Sequence, residues 1–368
     1  MKKLLTGILA VILIAAIWYF LRDKTVPAPT TSSGNLNELL EGARINTIDL
    51  TDTGTDSLFI PVENIINPEI EAAEMLDSFS STQAVYFSGH VIVMEFLTNN
   101  IAAYTPEGDF VQKIGGGEIS QAASVTANST RLYIYDYGNK VIHSYNGDFN
   151  YRESVPFSAP YYTQGSLKMN ETHLAYQREE ASGFRVGDSG LNELLTVAEI
   201  DQPEAPVEEL IPRIVPSGKH PGGFNNLLFS INSRSDIVSA YPALPYLFVY
   251  RNFRQHRNLV LVSSTYEDVD NPDLTPFQPV MGEAVRISNL MDQLYLMENG
   301  DILIFSFGSL HHLQLRRNGD YVYGNSYKLV LGDTGQTVEN ISSIDGSQEH
   351  PGRFYIISSG KLLILKLP

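Results

Sequence analysis

The sequence predicts an all-β protein: a six-bladed β-propeller closed by an N-terminal strand and preceded by one apolar N-terminal helix. Three observations carry this reading. The first is a repeat of about forty residues. Val91-Ile-Val-Met-Glu-Phe-Leu-Thr-Asn-Asn-Ile-Ala-Ala-Tyr-Thr-Pro-Glu-Gly-Asp-Phe110 and Arg131-Leu-Tyr-Ile-Tyr-Asp-Tyr-Gly-Asn-Lys-Val-Ile-His-Ser-Tyr-Asn-Gly-Asp-Phe149 both read strand, turn, strand, Gly-Asp turn, strand. A β unit of that length implies radially arranged sheets. The second is composition: 43% of residues are hydrophobic, with 20 Tyr and 17 Phe, which pack well on pleated surfaces. The third is a strand count that closes only if both ends of the chain share a blade.

Followed along the chain, the repeat gives six units. They span about 82–115, 122–157, 163–200, 224–264, 282–331 and 338–368. In the third, the expected strands are Ser166–Met169, His173–Gln177, Gly183–Val186 and Leu194–Ile200, with 201–225 left as a loop. In the last, only three strands are expected, Ile341–Asp345, Arg353–Ser358 and Lys361–Leu367. The alternating stretch Arg44–Ile60 supplies a spare strand, and joining the two ends removes a free sheet edge. Gly108-Asp109, Gly147-Asp148 and Asn318-Gly319-Asp320 are expected as hairpin turns with positive φ. Short helices are expected over Leu36–Ala43 and Glu69–Phe79.

The N-terminus has its own logic. Lys2 and Lys3 precede an uncharged run from Leu4 to Leu21, long enough to cross most of a bilayer core. Trp18 and Tyr19 sit near its far end, and Arg22, Asp23 and Lys24 close it. Residues 1–24 read as a signal anchor or a cleaved signal peptide. The anchor fits better, because Val26-Pro27-Ala28 followed by Pro29 makes a poor cleavage site. Residues 25–43 form a Pro/Thr/Ser-rich linker and short helix, and 44–368 the propeller. The expected location is the cell envelope: a single-pass inner-membrane anchor with the propeller outside the cytoplasm, or a secreted or periplasmic body if the segment is cleaved.

Charge excludes some partners. The chain has 25 Lys+Arg against 42 Asp+Glu, a net −17; without the first 24 residues the balance is 21 − 41 = −20. Such a body repels nucleic acid, so no nucleic-acid partner is expected. The absence of Cys removes disulfides, thiolate metal sites, a Cys nucleophile and a lipidated Cys.

Ile101-Ala-Ala-Tyr-Thr-Pro-Glu-Gly-Asp-Phe-Val-Gln-Lys-Ile-Gly115, Leu132-Tyr-Ile-Tyr-Asp-Tyr-Gly-Asn-Lys-Val-Ile142 and Ala240-Tyr-Pro-Ala-Leu-Pro-Tyr-Leu-Phe-Val-Tyr250 resemble the six-bladed propellers of the NHL-like and TolB-like type found in bacterial envelopes. The resemblance covers roughly 44–368. It implies architecture and an envelope setting, and says little of function, since such proteins bind proteins, glycans or small ligands. Gly115-Gly116-Gly117-Glu118 departs from the longer Gly-Pro-Gly-Glu stretch of that pattern, and the third unit is degenerate.

Candidate chemistry is sparse. The stretch around Arg213, His220, Tyr241 and Arg251 is the richest mix of basic and aromatic residues, expected near one mouth of the ring. Glu267, Asp268, Asp270 and Asp273 offer hard oxygen ligands for calcium, although their spacing is not that of an EF-hand and a solvated acidic loop is the favoured reading. No cofactor is otherwise expected. Asn128, Asn170 and Asn340 head Asn-x-Ser/Thr triplets. No Gly-x-Ser-x-Gly nucleophile elbow is present. The favoured function is a membrane-tethered binding module for an envelope protein, peptide or glycan. The alternative is a metal-dependent propeller enzyme of lactonase, lyase or hydrolase type with its site in the central channel.

Overall fold

The computed structural model describes residues 43–50, 58–64, 81–95, 99–158, 167–177, 193–212, 226–242, 244–262, 290–332, 334–347 and 349–368. The expected anchor, the linker and first short helix up to residue 42, and the second short helix lie outside these residues. No helix among the described residues is long and apolar enough to cross a membrane.

Six antiparallel sheets stand radially, each a meander whose first strand faces the axis. Two strands precede them, β1 (Arg44–Asp49) and β2 (Leu58–Asn64). Blade one is β3 (Ser81–Phe87), β4 (His90–Glu95), β5 (Ile101–Tyr104) and β6 (Phe110–Lys113). Blade two is β7 (Ala122–Ala127), β8 (Leu132–Asp136), β9 (Val141–Tyr145) and β10 (Tyr151–Pro156). Blade three is β11 (Leu167–Met169), β12 (His173–Gln177), β13 (Glu193–Glu199) and β14 (Pro206–Pro212). Blade four is β15 (Leu228–Ile231), β16 (Ile237–Ala240), β17 (Tyr246–Arg251) and β18 (Arg254–Val262). Blade five is β19 (Gln293–Leu296), β20 (Ile302–Ser306), β21 (Ser309–Leu315) and β22 (Tyr321–Leu331). Blade six is β23 (Ser343–Gly346), β24 (Arg353–Ser358) and β25 (Lys361–Lys366).

The stretch read as one spare strand is two. β1 runs parallel to the outer strand of blade four, with Arg44 opposite Arg257. β2 runs parallel to β22 from Leu58 to Val62, then antiparallel to β25 at Glu63 and Asn64. It thus bridges the outer edges of blades five and six.

Each blade buries its two faces against its neighbours, so the core is six separate seams rather than one centre. Ile92, Met94 and Ile101 of blade one meet Val125, Leu132 and Ile134 of blade two. Tyr135 and Phe157 meet Leu174 and Tyr176. Leu195 and Val197 meet Ile237 and Phe248. Leu247 and Leu259 meet Leu294 and Ile304, with Ile48 of β1 added. Leu303 and Phe305 meet Ile356 and Leu363. Tyr355, Ile357 and Leu362 of blade six return to Val91, Val93 and Tyr104 of blade one, which completes the circle. Burial on both faces is why the middle strands are apolar without alternation, as in IAAY and LYIYD.

Blade three corrects the strand assignment. Its third strand is 193–199 and its fourth is 206–212, within the stretch expected to be a loop. Pro206 and Pro212 bracket that fourth strand, and Glu208 and Glu209 lie in it with their backbones paired to Val197 and Thr196. Pro and charge are tolerated at a sheet edge, which hid the strand from a reading based on apolar runs. The expected strand Gly183–Val186 lies outside the described residues. Among the three expected Gly-Asp turns, Gly108 and Gly319 have positive φ, whereas in the second turn it is Phe149 that does.

Candidate functional site

The innermost strands β3, β7, β11, β15, β19 and β23 enclose a narrow central channel. It holds a cavity of about 70 Å³ touched by all six blades. Hydrogen bonds between neighbouring inner strands fix its walls. Gln83 donates from Nε2 to the Val125 carbonyl (2.7 Å), while its Oε1 accepts from the Val125 N–H (3.0 Å). The Leu296 N–H donates to Ser230 Oγ (3.1 Å), and the Ala84 N–H to Ser343 Oγ (3.1 Å). The Tyr86 N–H donates to Asp345 Oδ2 (2.8 Å).

Three ionisable groups stand inside this frame. Lys168 projects from β11 of blade three, and Asp345 from β23 of blade six, the blade directly opposite in the ring. Tyr295 of β19 joins them, its phenol oxygen 2.7 Å from where a Cβ on Gly346 would lie, so a side chain there would have to displace the phenol. Burial pushes the Asp345 carboxyl up to about 6, although Lys168 and the N–H groups of Tyr86 and Gly346 pull it down. Burial pushes the Lys168 ammonium down, and the Asp345 charge opposes that. Burial, then the charges of Asp345 and Glu298, raise the Tyr295 phenol well above its ordinary value.

One mouth of the channel is built from the turns between first and second strands. Asn128, Asn170 and Asn232 occupy equivalent ends of β7, β11 and β15 and are buried. Each Oδ1 accepts two backbone N–H groups of its own turn. Asn170 Nδ2 also donates to the Asn232 carbonyl of the next blade (3.2 Å). Two of the glycosylation-like triplets are therefore turn caps, with the amide turned inward. Around the rim, Ser129 donates to Glu171 (2.7 Å), Ser233 donates to Glu298, and Tyr86 donates to Glu349 (3.0 Å), each across a blade boundary. The rim is thus acidic. A second cavity of about 230 Å³ opens beside it between blades five and six, lined by Met297, Pro351 and Phe354 and sharing Tyr295, Glu298 and Gly346 with the first.

Sequence reasoning missed this set. The available signal was a charge in the middle of an apolar strand, Leu167-Lys168-Met169 and Ile344-Asp345. Of the residues singled out instead, Tyr241 is fully buried between blades three and four, edge-on to Phe248. Arg251 ends β17 beside its hairpin partner Arg254, on the outer rim. The two are not brought together with the channel. Arg213, His220, Glu267, Asp268, Asp270 and Asp273 lie outside the described residues. Among the described residues no group of three or more His, Asp or Glu is arranged to hold a metal ion.

One further constellation has the composition of a catalytic triad. His143 contacts Ser154 Oγ through Nδ1 (2.8 Å) and Asp136 through Nε2 (3.3 Å). Its setting is structural. Asp136 already accepts from the N–H groups of Ser120, Gln121 and Asn139, and Ser154 sits on the exposed outer strand sharing its hydroxyl with Tyr151. The line fastens β10 to the loop that enters blade two.

Fold and channel together define a six-bladed β-propeller with a charged axial cavity. No family model matches the chain, and no curated protein matches it. Solved structures match in fold. A protein of Bacteroides fragilis described as exported superposes with a TM-score of 0.50 at 10% identity, covering 87% of this chain and 98% of that one. The WD40 repeats of RRP9 give 0.50 at 10% identity, covering 85% and 100%. Streptogramin B lyase gives 0.49 at 9% identity, covering 85% and 98%. Identities this low establish the common fold and nothing about ligands.

Proposed function

We propose that this chain is a membrane-tethered binding propeller outside the cytoplasm. Its ring is closed by the N-terminal strand, and its acidic channel mouth receives part of an envelope protein, a peptide or a glycan. The observation that carries the reading is the pair Lys168 and Asp345, set into strands whose packing needs no charge. Rim carboxylates and an adjoining apolar cavity supply the surrounding contacts of a binding site, with polar groups placed at few positions. The tether is supported by the apolar run Leu4–Leu21 and its basic flanks.

The test is photo-crosslinking in the native membrane. A photoreactive residue replaces Asn299, exposed at the lip of the apolar cavity. One discrete adduct is expected, and its yield should drop at least fivefold when Lys168→Met and Asp345→Asn are combined. An adduct indifferent to those changes would remove the channel from the binding site. Stoichiometric metal with hydrolytic turnover would move the protein to the enzymatic class instead.

A further inference from the structure

Four carboxylates at the channel mouth are met by neutral donors. Asp345 accepts from the Tyr86 N–H, Glu171 from Ser129, Glu298 from Ser233 and Glu349 from the Tyr86 phenol. Among the described residues no Lys, Arg or His forms an ion pair with any of the four. Arg353, on the wall of the apolar cavity, lies 3.9 Å from Glu107 instead. The cation of the axial cavity is Lys168. It feels the charge of Asp345, yet among the described residues neither a hydrogen bond nor an ion pair reaches its ammonium, which burial pushes toward the neutral form. A desolvated ammonium without an acceptor is costly.

The two cavities fix what one ligand must carry. Tyr295, Glu298 and Gly346 line both, so a group in one cavity is a direct neighbour of a group in the other. The axial cavity, about 70 Å³, has room for roughly five waters, or a head group of about as many heavy atoms. The apolar cavity, about 230 Å³, is walled by Met297, Pro351 and Phe354, the last edge-on to Tyr295 with ring centres 5.7 Å apart. Asp345 and Glu298 ask for a cation, Lys168 for an acceptor, and the side cavity for an apolar arm that branches close to both. An α-aminoacyl group carries its ammonium, its carbonyl and its side chain on one carbon. A lysine or arginine side chain brings the cation without the acceptor; a carboxylic acid brings the acceptor without the cation.

We propose, on the reading of this mouth as a binding site, that it takes an α-ammonium acyl group with an apolar side chain, carried by a free amino acid or by the first residue of a peptide. The ammonium pairs with Asp345 and Glu298, and the carbonyl or carboxylate oxygen accepts from Lys168. The side chain enters the cavity beside Met297 and Phe354. The uncompensated rim carboxylates draw the ammonium in.

The test is calorimetric titration of the full-length protein in detergent with leucine, leucylglycine, N-acetyl-leucinamide, isoamylamine and glycine. Saturable binding near one equivalent is expected for leucine, leucylglycine or both. N-acetyl-leucinamide lacks the cation, isoamylamine the acceptor and glycine the apolar arm, and each should bind about tenfold or more weakly. Glu298→Gln, at an exposed position, and Lys168→Met should weaken the binding ligand by a similar factor. Isoamylamine should not be weakened by Lys168→Met, since it offers that ammonium nothing. Thermal unfolding of each variant reports whether it is folded. Leucylglycine bound as tightly as leucine identifies a peptide N-terminus; leucylglycine excluded identifies the free amino acid. Absence of saturable heat with both, equal affinity for N-acetyl-leucinamide, or unchanged affinity in folded Glu298→Gln and Lys168→Met would overturn the proposal. If that happens while the Asn299 adduct still falls with Lys168→Met and Asp345→Asn, the mouth stays a binding site for another class of ligand; if the adduct is indifferent too, both readings fail.

Discussion

Replacing Asp345 by Asn should change how stability depends on pH, and in an unusual direction. Burial raises this carboxyl from an ordinary 3.8 to about 6. The folded protein therefore binds the proton more tightly than the unfolded chain does. The stability this group contributes is present below the ordinary carboxylate range and is lost as pH rises to about 6. At about 1.4 kcal/mol per pH unit, the loss amounts to about 3 kcal/mol by pH 7. Asn keeps the shape and removes the titration. It also takes from Lys168 the charge that steadies its ammonium, which returns part of the gain. Urea unfolding of both proteins from pH 4 to 7 isolates the effect, since every other group is common to the two. The variant should gain about 1–3 kcal/mol on the wild type across that interval, most of it between pH 4 and 6. Parallel curves, or a wild type that gains on the variant as pH rises, would refute the account of Asp345 as a buried carboxyl held in the channel at a cost.

Lys168→Met removes the cation that pulls the Asp345 carboxyl down, so its titration, followed by carbon NMR of the side chain, should move above 6. Gln83→Leu leaves the N–H and carbonyl of Val125 unpaired inside the seam between blades one and two. Each orphaned group should cost about 1–3 kcal/mol in denaturant unfolding, and no loss would mean that the seam relaxes around the change. Asn232→Ala removes the acceptor for two turn N–H groups, and about 1–3 kcal/mol should be lost, with faster amide exchange at Arg234 and Asp236 as the local readout.

Much of the ring was legible because blades are built from local meanders. Stretches such as 101–104, 132–135 and 354–357 are apolar throughout, since both faces are buried, and Gly or Asn punctuates their turns. Outer strands were harder to read. The fourth strand of blade three shows Pro and Glu where an apolar run was sought, because an edge needs only backbone pairing on one side. The site was least legible. Lys168 and Asp345 are far apart in sequence, and only the ring places their blades opposite one another. The same holds at the rim, where Arg44 and Arg257 meet Asp320 from three separate segments. The basic run Arg251-Asn-Phe-Arg-Gln-His-Arg257 is visible in the linear sequence, but its acidic partner Asp320 lies far from it along the chain.

The placement of these charges argues that they are not leftovers of folding. The inner strands are joined across the ring by Ser and Gln side chains bonded to the backbone of the next blade, as Ser230, Ser343 and Gln83 are. An inner strand therefore needs no charge to join its neighbours. A carboxylate held at about 6 and an ammonium pushed down oppose stability, and a smaller neutral side chain at either position would relieve the strain on both. Such groups cluster where a protein meets a ligand. Here they are set on strands fixed by neighbours on both sides, so their geometry is present before anything binds, and a ligand group that satisfies both charges recovers what folding gave up.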